Sequence, residues 1–294
     1  MTFDSYIAID WSGADGPYTG IAVARCEPGR RAPQLVRPRA GRWTRTAIAA
    51  WLDRELASGR RLLVGFDFAF GMPFEPGLGY LAGAAGGCTD AFALWELIEA
   101  ASAGAPDFGC APMILDSRFA PAYWRAGKQP AAWVLRQRRS EIACAAATRT
   151  RPECVFKLIG AKQVGKASLT GIRVLRDVRS RHRDRAAVWP YEPVGDKSAL
   201  VEIYPTLFRK ATAGGLAKLR TREQLNAALK GFGSRGVRQD QLTDHDTDAL
   251  ISAAGLRHFT AERHYRLDAT GDQRVRREGW IFGVPMPEAE ARAA

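Results

Sequence analysis

Residues Arg61–Phe70 read RLLVGFDFAF, an almost unbroken apolar run with a single acid, Asp67. Such a run suits a strand buried on both faces, the situation of a strand with parallel neighbours and helices above and below it. A second run, Tyr6–Gly13 (YIAIDWSG), is β-prone, rises to one carboxylate at Asp10 and stops at a Ser-Gly turn. A carboxylate inside a buried strand is disfavoured unless a partner or a bound metal compensates it. Two such strands point to an α/β protein and single out their acids. Taken alone, Asp10 reads as the cap of its turn; the rest of the chain shifts that balance.

The segments around these runs fit one order. Ser5–Trp11, Tyr18–Cys26 and Gln34–Arg39 are expected to form a three-stranded antiparallel meander, because only short turns join them. Thr44–Leu56 has a helical apolar face of Ile48, Trp51, Leu52 and Leu56, with Gly59 as its stop. Asp90–Ala101 is a second expected helix, with Thr89 as N-cap. Gly71–Arg151 reads as an insertion or lid enriched in helix, with a basic helical piece at Trp133–Ala147. Further expected strands are Cys154–Ile159, Ala187–Trp189, Ala199–Tyr204 and Gly279–Val284; further helices are Leu169–His182, Arg222–Lys230 and His245–Phe259.

With 294 residues and 46% hydrophobic content, the chain can bury a full core as one domain. No apolar run is long enough to cross a bilayer, and the start of the chain lacks the basic region of a signal peptide. Five scattered cysteines with no Cys-x-x-Cys pair argue against a disulfide framework or a zinc site, and for a cytoplasmic location. The net charge of +12 favours a phosphate-rich partner, although an Arg-, Ala-, Gly- and Pro-rich composition also produces such a charge.

The chemistry-bearing signal is a pattern of acids. Three expected strands carry one carboxylate each: Asp10, Asp67 and Glu202. A late helix opens with TDHDTDALISAAG, in which Thr243 and Asp246 form a capping-box-like pair. That leaves His245 and Asp248, three apart and on one helix face, free for other work. Hard divalent cations bind oxygen ligands of this kind, and a pair of ions can activate a water and stabilise the leaving oxygen in phosphodiester cleavage.

The pieces IDWSGA, GFDFAFGMP, GAKQVGKASLTGI, VEIYP, DHDTDALISAA and EGWIFGVP together resemble a family of predicted nucleases of the ribonuclease H-like superfamily. The helix motif His245-x-x-Asp248-Ala249 is similar to the final metal-binding motif of RuvC-type resolvases. The resemblance implies a five-stranded mixed sheet flanked by helices and a metal-dependent nuclease acting on DNA or RNA. It also implies two Mg²⁺ or Mn²⁺ ions held by Asp10, Asp67 and Asp248, with His245 as ligand or general base. Two features depart from the resolvases. The second acid is Asp67 where they have Glu, and Glu202, expected as an outer ligand, has no resolvase counterpart.

Basic and polar residues supply the remaining candidates. Gly160–Lys166 (GAKQVGK) has phosphate-loop spacing, but Ala167 stands where a Mg²⁺-binding Ser or Thr belongs. Lys162, Lys166 and Ser12 are retained as substrate contacts, with an ordinary glycine turn and solvated lysines as the equal alternative. Arg173 heads an Arg-rich helix that either tracks a phosphate backbone or forms a solvated face. Two other functions remain open: an ATP-dependent phosphotransferase of the actin and sugar-kinase type, and a non-catalytic nucleic-acid-binding protein. The sequence leaves the oligomeric state open.

Overall fold

The computed structural model describes residues 2–15, 20–39, 41–131, 133–160, 164–213, 218–261, 267 and 271–286. Lys162 lies outside the described residues. The protein is an α/β molecule whose mixed sheet has six strands rather than the expected five. These are β1 (Ser5–Asp10), β2 (Ala22–Cys26), β3 (Gln34–Val36), β4 (Leu62–Phe66), β5 (Ala186–Val188) and β6 (Ser198–Glu202), in spatial order β3-β2-β1-β4-β6-β5. The first three form the antiparallel meander, and β4, β6 and β5 continue the sheet in parallel with β1. The added edge strand is short, and Pro190 follows it closely.

Strands β1, β4 and β6 are buried along their whole length. Side-chain alternation therefore divides the core into two layers. Ile7, Ile9, Leu62, Val64, Phe66 and Leu200 point to one side. There they meet α1 (Arg45–Ala57), α2 (Ala91–Ala101) and α5 (Gly165–His182). Between α2 and α5 lie α3 (Ala111–Leu115) and α4 (Arg139–Thr148). Tyr6, Ala8, Leu63, Val201 and Ile203 point to the other side. That side is covered by α6 (Pro205–Ala213), α7 (Arg222–Gly231) and α8 (Asp244–Ala261). Helix α9 (Gln273–Glu278) packs against α2 and α4.

Helix α8 crosses β1 and β2 closely enough to bring its first turn to the end of β1. Small residues make this possible. A Cβ on Gly65 of β4 would lie 2.9 Å from Leu256 Cδ1 and 2.6 Å from Ile203 Cγ2. The helix starts as its sequence predicts: Thr243 Oγ1 accepts from the Asp246 amide at 3.1 Å, and the Thr243 amide donates to Asp246 Oδ2 at 3.0 Å.

Several local expectations change. Asp90, not Thr89, caps α2, accepting from the Ala93 amide at 2.9 Å. Cys154–Ile159 contributes only an isolated bridge between Trp124 and Lys157, and Gly279–Val284 one between Ile281 and Glu202. Pro205 follows the β6 segment and begins α6, because proline fits the first helical turn, where its missing N–H costs nothing. Among the described residues, no helix is long and apolar enough to cross a membrane.

Candidate functional site

Parallel pairing places Ile9 opposite Phe66, and the Asp67 amide donates to the Ile9 carbonyl at 3.0 Å. Asp10 and Asp67 thus leave the carboxyl ends of adjacent parallel strands toward α8, the end of such sheets at which ligands usually bind. Asp10 and Asp248 are buried, while Asp67 keeps part of its surface in contact with solvent. His245 Nδ1 stands 2.5 Å from Asp10 Oδ2, and its side chain is half-exposed. The ring lies against Gly20, where a Cβ would come within 3.3 Å of it and within 3.4 Å of Ser12 Cβ. Ser12 is therefore at the rim of the same cluster. Its backbone carbonyl accepts from Arg45 Nε at 3.2 Å, which pins the turn after β1 to the start of α1.

The electrostatics of the cluster are unfavourable to its own charges. Burial raises the pKa of Asp67 well above the usual carboxylate range, and the charges of Asp10 and Asp248 and a hydrogen bond with Asp10 raise it further. Burial also raises Asp10, against a lowering hydrogen bond from His245. The same bond holds His245 toward its protonated form. Two ionised carboxylates at Asp10 and Asp67 would repel, and both acids are held toward their neutral forms.

Asp248 is different. Arg209 donates to its Oδ1 and Lys218 to its Oδ2. Neither cation was marked as a site residue in the sequence. The signal for Arg209 is its position four residues after Pro205, one helical turn from the start of α6.

The donor set bears on which metal sites are possible. Among the described residues, no group of three or more His, Cys, Asp or Glu is arranged to hold a metal ion. With both oxygens of Asp248 engaged, the carboxylates of this cluster left to a metal, among the described residues, are those of Asp10 and Asp67. Two carboxylates suit one Mg²⁺ or Mn²⁺, which usually takes one or two of them plus water and phosphate oxygens. A divalent cation would also offset the mutual repulsion that helps to raise Asp67. The residues fit one such ion at Asp10 and Asp67.

The other candidates are not brought to this cluster. Glu202 pairs with Phe66 in register and points through the opposite face of the sheet. Its Oε1 accepts from Arg138 Nη2 at 2.5 Å, and its Oε2 accepts from Arg138 Nη1 at 2.8 Å and from the Phe70 amide at 3.0 Å. Arg173 is buried, and its guanidinium donates to both oxygens of Glu99, at 2.7 and 2.9 Å. The rest of the Arg-rich helix is similarly paired: Arg176 with Glu96 at 2.6 Å, Arg179 with Glu192 at 2.7 Å, and Arg181 with Asp53 and Asp177. Lys166, at the start of α5, pairs with Asp15 at 3.3 Å in the turn after β1.

No protein-family model matches the chain, and neither a curated protein nor a solved structure matches it.

Proposed function

We propose that the protein is a metal-dependent nuclease that hydrolyses phosphodiester bonds of nucleic acid on a ribonuclease H-like sheet. The observation that carries this reading is the convergence of Asp10, Asp67, His245 and Asp248, from two parallel strand ends and one helix, into a partly open cluster short of positive charge. The strand order supports it, with an antiparallel meander bearing the first acid and a parallel fourth strand leading to the second. So does the presence of one such sheet among the described residues, where a phosphotransferase of the actin type would use two.

Asp10 and Asp67 would hold one Mg²⁺ or Mn²⁺. Bound there, the ion supplies charge for a phosphate oxygen and makes a coordinated water more acidic. His245, held at Nδ1 by Asp10 and half-exposed, would take a proton from the attacking water when neutral and give one to the leaving oxygen when protonated, the form that Asp10 favours. Lys218 and Arg209 hold Asp248 and keep positive charge beside the phosphate path.

The test is a cleavage panel over single-stranded and structured DNA and RNA with Mg²⁺ or Mn²⁺. Wild-type protein is expected to cut at least one substrate class, and folded Asp10→Ala none. Equal cleavage by the variant would contradict the reading.

A further inference from the structure

Resting on the proposed cation site at Asp10 and Asp67, we infer that Lys218 takes the place of a second divalent cation beside Asp248, so that the centre works with a single ion. A two-ion centre needs an oxygen of Asp248 for its second ion. In this structure both oxygens are engaged, Oδ1 by Arg209 and Oδ2 by Lys218.

Neither cation is a casual surface contact. Arg209 is buried on α6 and also donates to Thr206 Oγ1 at 2.7 Å. Lys218 is half-exposed, but the chain beside it is fixed. The neighbouring Leu219 is buried, and its carbonyl accepts from Thr247 Oγ1 at 2.8 Å. Thr247 directly precedes Asp248, so the backbone that delivers the ammonium is tied to the helix turn that delivers the carboxylate.

The charges agree with this arrangement. The carboxylates of Asp10, Asp67 and Asp248 face the two side-chain cations Arg209 and Lys218, leaving one negative charge when these are ionised and none when His245 is protonated as well. One divalent ion turns that balance positive, which suits a phosphate. A second would add two more positive charges next to an ammonium and a guanidinium. Lys218 is a compact point charge with three donors, and only one is used on Asp248 Oδ2. Its exposed side is available to a non-bridging oxygen of the phosphodiester.

Mn²⁺ binding to the full chain, counted by equilibrium dialysis with spin-resonance detection of the free ion, tests this without turnover. Wild-type protein is expected to bind one Mn²⁺ at this centre, Asp67→Asn none, and Lys218→Met two, because Asp248 Oδ2 is released. Lys218→Gln, with circular dichroism and a melting curve, guards against misfolding and is expected to behave as Lys218→Met. Two ions on the wild type, or one on both Lys218 variants, overturns the inference and leaves the cation site standing. No ion on either wild type or variants overturns the cation site as well as the inference.

Discussion

Two groups of acids lie on opposite faces of one sheet, and they are treated in opposite ways. On the α5 face, Glu141 and Glu202 close around Arg138, whose guanidinium reaches them at 2.5–2.8 Å and also donates to the Glu278 carbonyl at 3.1 Å. Glu278 itself accepts from the amides of Arg139 and Phe74, at 2.7 and 2.9 Å. This group ties α4, β6, α9 and the loop after β4 together. On the α8 face, among the described residues, neither Asp10 nor Asp67 is paired with a guanidinium, and burial raises the pKa of both. Acids matched by a fixed cation hold a fold; in the function proposed above, the acids left short of one take a mobile cation from solution.

The largest expected effect comes from breaking the matched group. Arg138→Met strands two buried carboxylates and should lower stability by roughly 3–5 kcal/mol in urea unfolding at neutral pH. A loss under 1 kcal/mol would mean that Arg138 does not hold this face together. Burial already pushes Glu141 up to about 7 against the pull of Arg138, so the variant is expected to recover part of its loss in acid.

The unmatched group should respond with the opposite sign. Asp67→Asn removes a charge that the folded protein resists, and should raise the stability of the metal-free protein at pH 8 by roughly 1–3 kcal/mol. The pH dependence follows from linkage. The folded pKa of Asp10 and Asp67 lies above the unfolded one, so between the two values the folded chain holds more protons. This stabilisation is full below about pH 4, the ordinary carboxylate value, and is lost as pH rises through the raised values. His245, also raised, adds a contribution that is full below its unfolded value and lost above its folded one. The contribution of these three groups should therefore decline from acid toward alkaline pH, and Asp67→Asn should reduce that decline relative to wild type in denaturant titrations across the range.

The smallest effect is expected at the rim. Lys166→Ala removes a solvent-accessible pair with Asp15 and should change stability by less than about 0.5 kcal/mol. If it nevertheless weakens nucleic-acid binding, with a shallower salt dependence, Lys166 touches phosphate.

Much of this contrast was legible in the sequence. The runs leading to Asp10 and Asp67 are long and apolar enough to mark buried strands, and Thr243 and Asp246 mark the start of α8. What the sequence could not settle was the face of Glu202. Asp10, Asp67 and Glu202 look alike as lone acids at strand ends, and only the register of β6 against β4 sends Glu202 through the other side of the sheet. Arg173 was opaque for a related reason. Its periodicity gives a helix face, but Glu99, which makes that face internal, lies on a distant helix. Arg209 and Lys218 were missed because their meaning depends on a contact with Asp248, 39 and 30 positions away respectively.

The proposed cation site belongs to Asp10 and Asp67 and leaves out Glu202. Melting curves at pH 8 with and without Mn²⁺ test this directly. Saturation at about 100 times the dissociation constant adds about 2.7 kcal/mol to the folded state. Wild type and Glu202→Gln are expected to gain the same stabilisation from Mn²⁺, and Asp67→Asn to gain none. An equal gain in Asp67→Asn, or its loss in Glu202→Gln alone, would contradict the account.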